Sequence, residues 1–165
     1  METPITIRLA EPGDLAAITE IYNEAIKTTT ATFDTEPRSD SDQLSWFQSH
    51  HGRHPIIVAA LNGTVVGWAS ISRWSERKAY DETGEVSFYV KSEHRGHGIG
   101  RRLTEAIVEE ARKMKFHTLI ARVAGESVVS LHLSTTSGFV EIGIMKEVGK
   151  KFGRLLDVHI LQKML

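Results

Sequence analysis

The sequence predicts an α/β domain in which about four helices flank one central, mostly antiparallel, twisted sheet. Several short segments alternate apolar and polar residues, as half-buried strands do. Two turn-like connections join neighbouring strand segments, and segments with helical periodicity stand between them. The predicted order of elements is β-α-α-β-β-β-α-β-α-β-β.

The first third of the chain predicts one strand and two helices. Ile5 to Leu9 alternate as a short strand. Pro12 suits the first turn of a helix, and the apolar residues that follow fall on one helical face: Leu15, Ile18, Tyr22, Ala25 and Ile26. Ser39 to His51 predicts a second helix with Leu44 and Phe47 on one side.

The middle of the chain predicts three strands and a long helix. Asn62-Gly63 is a strong two-residue hairpin signal, and it joins the strands predicted at Pro55 to Leu61 and Val65 to Ser72. Glu85 to Val90 alternates as a third strand, and Ile99 to Met114 has the periodicity of an amphipathic helix.

The last third predicts a strand, a short helix and a hairpin. Leu119 to Val123 forms the strand, and Ser127 to Ser137 the helix, although its serines, threonines and valines are poor helix formers. The final strands are predicted at Phe139 to Val148 and Leu155 to Leu161, joined across Lys150 to Gly153.

Composition limits the functions to be considered. The chain has 165 residues, which fits one domain spanning residues 1–165. The net charge of -1, with both signs interspersed, argues against a general nucleic-acid surface. The absence of cysteine excludes disulfides and thiol catalysis, and the histidines lack the spacing of a metal site. No segment suggests a membrane span or a signal peptide, so we expect a cytoplasmic protein without a membrane partner.

The most informative segment is HRGHGIG, from His94 to Gly100, between a predicted strand and a predicted helix. Glycines there let backbone amides approach a phosphate closely, and the helix N-terminus adds unpaired N–H groups, so the segment predicts a pyrophosphate cradle. The spacing is that of neither a dinucleotide-binding loop nor a nucleotide-hydrolysing P-loop. A glycine-rich connection without a ligand is the remaining alternative.

Together with the order of elements, Arg95 to Gly100 resembles the acyl-CoA pyrophosphate loop of the GNAT acyltransferase superfamily, [RQ]-x-x-G-x-[GA]. Four further segments resemble phosphinothricin and methionine-sulfoximine N-acetyltransferases: Thr30 to Pro37, Arg77 to Tyr80, Glu85 to Val90, and Val148 to Gly153 with the following Asp157. The resemblance extends from Ile5 to Gln162. It implies the GNAT fold, acetyl-CoA as cosubstrate without a metal, and a homodimer.

The resemblance also implies which residues bind the cosubstrate. Backbone amides from His97 to Arg102 hold the CoA pyrophosphate, and the Val90 backbone pairs with the pantetheine arm. The expected cofactor-binding residues are Phe88, Val90, Arg95, Gly96, His97, Gly98, Ile99, Gly100, Arg101, Ser127 and Ser130.

The implied reaction is direct acetyl transfer from acetyl-CoA to a primary amine. An α-amine is mostly protonated near neutral pH, so a general base must remove a proton before it attacks. Glu85 is the candidate, because it lies opposite in phase to Val86, Phe88 and Val90 and because the family places its presumed catalytic glutamate there. The alternative is an exposed glutamate at the start of a strand.

A second group can protonate the departing CoA thiolate. The superfamily motif N-x-x-S-x-x-L-[HYF]-x-x-x-G-F, aligned on Gly138-Phe139, places Ser127 at the asparagine position and Ser134 at the [HYF] position. Ser134 is therefore the candidate proton donor. His132, about 200° away around a regular helix, and water are the alternatives.

The acceptor is expected to carry a carboxylate, for which arginine is the natural partner. The resemblance indicates Arg77, with Arg73 as a competitor, and Phe33 and Tyr80 as walls of the pocket. The predicted substrate is an amino acid of the phosphinothricin or methionine sulfoximine type, acetylated on its α-amine. The alternatives are acetylation of a polyamine, an aminoglycoside or a protein N-terminus, and a non-catalytic acyl-CoA sensor.

Overall fold

The computed structural model describes residues 4–165 and confirms the predicted fold class and order of elements. Seven strands form one sheet in the order β1-β2-β3-β4-β5-β7-β6. The strands are β1 (Ile5–Leu9), β2 (Ile56–Leu61), β3 (Thr64–Arg73), β4 (Thr83–Val90), β5 (Thr118–Ala124), β6 (Val140–Lys151) and β7 (Arg154–Met164). All neighbouring pairs are antiparallel except β4 and β5, which are parallel.

Helices cover both faces of this sheet. They are α1 (Leu15–Thr28), α2 (Asp40–Ser49), α3 (Ile99–Lys113) and α4 (Val128–Thr136). Because side chains alternate along a strand, Ile57 of β2 packs with Leu103 of α3 in one core cluster, whereas Val58 packs with Ile18 of α1 in another. Within residues 4–165, no helix combines the length and the apolar character needed to cross a membrane.

The parallel strands β4 and β5 separate part-way along their length. They pair only from Thr83–Glu85 to Thr118–Ile120, although β4 continues to Val90. On its other side, β4 stays paired with β3, and the amide of Lys91 donates to Val66. Because peptide groups alternate in direction along a strand, those of Phe88 and Val90 face the gap between β4 and β5. The sheet therefore contains a V-shaped opening.

One local prediction was wrong, and the burial pattern of α2 was not predicted. Leu44 of α2 is 46% exposed, and Gln43 is the buried residue of this helix at 3%. A ten-residue helix with few apolar side chains does not fix its own rotation, which here follows the edge-on contact of Trp46 with Trp68. The last hairpin turns over two residues rather than four, because both Phe152 and Gly153 adopt positive φ, as a type I′ turn requires.

Candidate active site

A cavity of about 600 Å³, called here the large cavity, lies on the α1 and α2 side of the sheet. The antiparallel register of β3 and β4 orders its floor, with Trp68 opposite Tyr89, Ser70 opposite Ser87 and Ser72 opposite Glu85. Side chains from α1, α2, the loop after α1, and the last two strands complete the walls. Residues far apart in sequence therefore meet around one volume.

Glu85 is held in this cavity by an arginine. Arg122 of β5 donates from Nε to Oε1 at 2.7 Å and from Nη2 to Oε2 at 2.8 Å, a two-point ion pair. The Glu85 side chain is only 17% exposed, whereas that of Arg122 is 52% exposed. The ion pair joins the neighbouring strands β4 and β5 at the point where they begin to separate. It fixes the direction of the carboxylate, and each oxygen keeps a lone pair for a further hydrogen bond.

A second ion pair lies in the loop that follows α1. Arg38 donates from Nε and Nη2 to Asp34 at 3.0 and 2.9 Å, and the Tyr22 hydroxyl donates to the same carboxylate at 2.6 Å. Burial favours a higher pKa for Asp34, but these hydrogen bonds outweigh burial, so its pKa lies below the usual value. Burial, together with the bond to Asp34, raises the pKa of Tyr22. Asp34 is therefore a fixed, charged anchor for this loop.

The end of β6 fastens the same loop over the cavity. Lys151, which is 5% exposed, donates from Nζ to the carbonyl oxygen of Thr32 at 2.7 Å. Burial lowers the pKa of this lysine. The Phe33 ring covers Gly149 so closely that a Cβ there would overlap it. Phe33 itself lines the cavity, so these contacts hold part of its wall in place.

A narrow cleft of about 50 Å³ occupies the V-shaped opening between β4 and β5. Phe88 of β4 lines it on one side, and Ser127, Ser130 and Ser134 at and within α4 line the other. The cleft and the large cavity share wall residues, namely Ala31, Ser87, Tyr89, Arg122 and Ala124. The two volumes therefore meet beside the Glu85–Arg122 pair.

The glycine loop lies at the N-terminus of α3. Gly96 and Gly98 have φ values of +79° and +75°, which L side chains rarely adopt. Within residues 4–165, none of the backbone N–H groups from Gly96 to Arg101 donates a hydrogen bond. Arg95 donates from Nε to the Val90 carbonyl at 3.0 Å and so ties the loop to the end of β4. A run of free amides at a helix N-terminus is suited to binding a phosphate.

Comparison with known proteins identifies the family. The family model described as Acetyltransferase (GNAT) family matches residues 18–139. The chain belongs to the GNAT acetyltransferases. It is 36% identical over 162 residues to the L-amino acid N-acyltransferase MnaT of Escherichia coli K12, covering 98% of this chain and 94% of the relative. It is equally similar to the L-methionine sulfoximine/L-methionine sulfone acetyltransferase of Salmonella typhimurium LT2, covering 98% and 95%.

Solved GNAT structures share the whole architecture. The phosphinothricin acetyltransferase of Sinorhizobium meliloti, solved in complex with AcCoA, superposes with a TM-score of 0.94 at 36% identity. The match covers 98% of this chain and 88% of that protein. The seven-stranded sheet, in which β4 and β5 separate part-way along their length, is therefore a GNAT fold.

Several residues predicted for this GNAT site lie together in the structure. Glu85 and Phe33 line the large cavity, and Phe88, Ser127, Ser130 and Ser134 line the cleft. The Ser134 residue is 2% exposed, and its hydroxyl makes no hydrogen bond to the described part of the chain. His132 is exposed and lines neither volume.

Other predicted residues lie outside the two volumes of this GNAT chain. Arg77 and Tyr80 are exposed in the loop before β4, and neither lines the large cavity formed by residues 4–165. Arg73 is engaged with Glu76 and Asp81 on the surface. No group of three or more potential metal ligands occurs in the described residues.

Sequence analysis assigned no role to several residues that line the large cavity, among them Arg122 and Gln43. Arg122 left a signal, because it is the one charged residue in the otherwise apolar strand TLIARVA. Gln43 left none, because its burial depends on how α2 packs against the sheet.

Proposed function

We propose that the chain transfers an acetyl group from acetyl-CoA to the α-amine of a small amino-acid-like substrate of the methionine sulfone, methionine sulfoximine or phosphinothricin type. The observation that carries this proposal is the charge balance of the large cavity. Among residues 4–165, its charged lining consists of two acids and two arginines, paired as Asp34 with Arg38 and Glu85 with Arg122. Such a cavity suits a zwitterion, whereas a polyamine or an aminoglycoside favours a surplus of acids.

The cleft is the proposed acetyl-CoA site. The free amides from Gly96 to Arg101 would bind the pyrophosphate, assisted by the positive end of the α3 dipole. The unpaired N–H and C=O groups of Phe88 and the N–H of Val90 face the gap and would pair with the pantetheine arm. The Val90 carbonyl already accepts a hydrogen bond from Arg95. This arrangement brings the thioester to the junction of the two volumes.

At that junction the reaction is a direct displacement. Glu85 accepts a proton from the substrate ammonium group, directly or through one water, and the free amine attacks the thioester carbonyl carbon. The N–C bond forms and the C–S bond breaks. The nitrogen loses its second proton as the amide forms, the departing CoA thiolate takes up one proton, and one proton per turnover is released to solvent. Arg122 positions Glu85, and it is also the arginine best placed for the substrate carboxylate. Amine and carboxylate share one carbon, so a partner for the carboxylate must lie beside the base.

Ser134 is the proposed proton donor to the thiolate, because it is a buried residue that lines the cleft and its hydroxyl has no partner within residues 4–165. Replacing Ser134 by alanine is expected to lower kcat about 100-fold, the lower end of general-acid effects, and to leave acetyl-CoA affinity unchanged. Steady-state kinetics and calorimetry measure the two quantities. Ser137→Ala, at the end of the same helix and outside both volumes, is the control and is expected to keep its kcat. An unchanged kcat in Ser134→Ala would assign the proton to water.

We also propose a homodimer. The edge strand β6 and the turn after it expose apolar side chains, including Val140 at 66%, Ile142 at 57% and Phe152 at 53%. An exposed, apolar edge strand is a ready site for association. Light scattering is expected to give twice the 18.4 kDa chain mass, and a monomer at micromolar concentration would contradict the proposal. The roles of Arg77 and Tyr80 in binding the acceptor rest on the resemblance alone.

Thiol release from acetyl-CoA tests the proposed function. The acceptors are phosphinothricin, methionine sulfoximine, methionine sulfone, spermidine and an aminoglycoside, each over a range of concentrations. Turnover confined to the first three is expected. Turnover of the polycations alone would overturn the zwitterion assignment, and tight CoA binding without any turnover would favour the acyl-CoA sensor.

A further inference from the structure

Gln43 is an unusual polar residue of the large cavity. It lies on α2, is 3% exposed and lines the cavity, yet its side-chain amide makes no hydrogen bond to any group in residues 4–165. Among residues 4–165, the indole nitrogen of Trp68 is the one enclosed side-chain N or O atom without a partner, so the Gln43 amide is reached from the cavity. Its donors and its acceptor are therefore available to whatever fills the cavity.

Two further polar groups in the same wall lack partners in the described chain. Ser70 of β3 is 1% exposed, and its hydroxyl makes no hydrogen bond there. The indole N–H of Trp68, two residues earlier, is buried without a hydrogen-bond partner. By contrast, the neighbouring Ser72 hydroxyl contacts His50 at 3.0 Å. The Trp68 N–H is enclosed by protein, so the free polar groups that a ligand can reach in this part of the cavity are the Ser70 hydroxyl and the Gln43 amide.

The β3–β4 register sets the distance from Ser70 to Glu85, the proposed base. Ser72 is opposite Glu85 in the β3–β4 register, so Ser70 is diagonal to Glu85. Diagonal neighbours on one face of a sheet are about 7–8 Å apart, which matches the reach of a methionine-type side chain from its α-amine. Trp68 and Tyr89 lie beyond Ser70 on the side away from Glu85, and with Trp46 they provide apolar contacts at this end of the cavity.

We propose that Gln43 and Ser70 form a specificity subsite for the oxygen-bearing end of the acceptor's side chain. This inference rests on the proposed function. The Gln43 amide and the Ser70 hydroxyl are uncharged, so they suit an uncharged hydrogen-bond acceptor such as a sulfonyl or sulfoximine oxygen. The carboxamide also accepts a hydrogen bond, which matches the N–H of a sulfoximine. A thioether sulfur is a weak acceptor and leaves these groups unpaired, so the subsite discriminates against it.

The test compares two acceptors that differ only at this end, L-methionine sulfone and L-methionine. Wild type is expected to prefer the sulfone in kcat/KM by about tenfold or more, since a buried group left unpaired is costly. Gln43→Met keeps the length of the side chain and removes its amide, and Ser70→Ala removes the hydroxyl. Each variant is expected to lower the preference about tenfold, with the KM for acetyl-CoA unchanged. Gln48→Met, at an exposed position of the same helix, is the control and is expected to keep the wild-type preference.

The outcomes separate the inference from the proposed function. Acetylation of both amino acids by wild type without a preference for the sulfone would overturn the subsite alone. A preference that survives both Gln43→Met and Ser70→Ala would also overturn it. Acetylation of neither amino acid would overturn the proposed function and the subsite with it. Circular dichroism melts of each variant confirm that the kinetics report on folded protein, and Ser70→Ala provides the test if Gln43→Met does not fold.

Discussion

The Glu85→Gln variant is expected to lose at least about 100-fold in kcat near neutral pH while binding acetyl-CoA as tightly as wild type. Glutamine has almost the same shape as glutamate but cannot take the proton of the incoming amine. Glu85 lines the large cavity and not the cleft, so its replacement leaves the cosubstrate site intact. Arg122 loses its partner, but its side chain is about half exposed, so water compensates.

Two comparisons distinguish a base from a structural carboxylate. Glu82→Gln, three residues earlier and exposed, is the matched control and is expected to keep full activity. The rate that remains in Glu85→Gln is expected to lose the acidic limb of the kcat/KM profile against pH. If kcat is retained, or if the acidic limb persists at a reduced rate, Glu85 is not the base.

The Gly98→Val variant is expected to weaken CoA binding by about tenfold to 100-fold, corresponding to the loss of one charge-assisted hydrogen bond. Gly98 is the N-cap of α3 with a φ of +75°, and a β-branched residue is strained there even though the space around it is open. Relief of that strain shifts the adjacent amides away from the phosphate. Isothermal titration with CoA measures the change.

Gly52 provides the control for this strain. It also has a positive φ, +61°, and open space around it, but it lies in the turn after α2 and lines neither volume. Gly52→Val and Gly98→Val are expected to lose similar stability in thermal melts, whereas only Gly98→Val loses CoA affinity. Equal CoA affinity in the two variants would contradict the pyrophosphate assignment.

The features predictable from sequence are those encoded locally. The glycine loop is one contiguous segment between a strand and a helix, and its conformation depends on residues within it. The Asn62-Gly63 hairpin is similarly local, with both residues at positive φ. The order of elements then follows from periodicity, which each segment carries by itself.

The large cavity was less predictable because distant segments build it. Arg122 reaches Glu85 only because β4 and β5 are neighbours in the sheet, although the residues are 37 positions apart. Lys151 holds Thr32 across 119 positions. Neither contact leaves a local pattern. The burial of Gln43 is set by packing of α2 against Trp68, which no periodicity within ten residues specifies.

The central claim is acetylation of a zwitterionic α-amine, and a competition experiment tests it most directly. The enzyme is supplied with acetyl-CoA and equal concentrations of L-methionine sulfone, its decarboxylated amine and spermidine, and the products are quantified by mass spectrometry at low conversion. Their ratio gives the relative kcat/KM values within one mixture. We predict that N-acetyl-L-methionine sulfone is the dominant product. Dominance of acetylspermidine, or equal acetylation of the amino acid and its decarboxylated amine, would contradict the account.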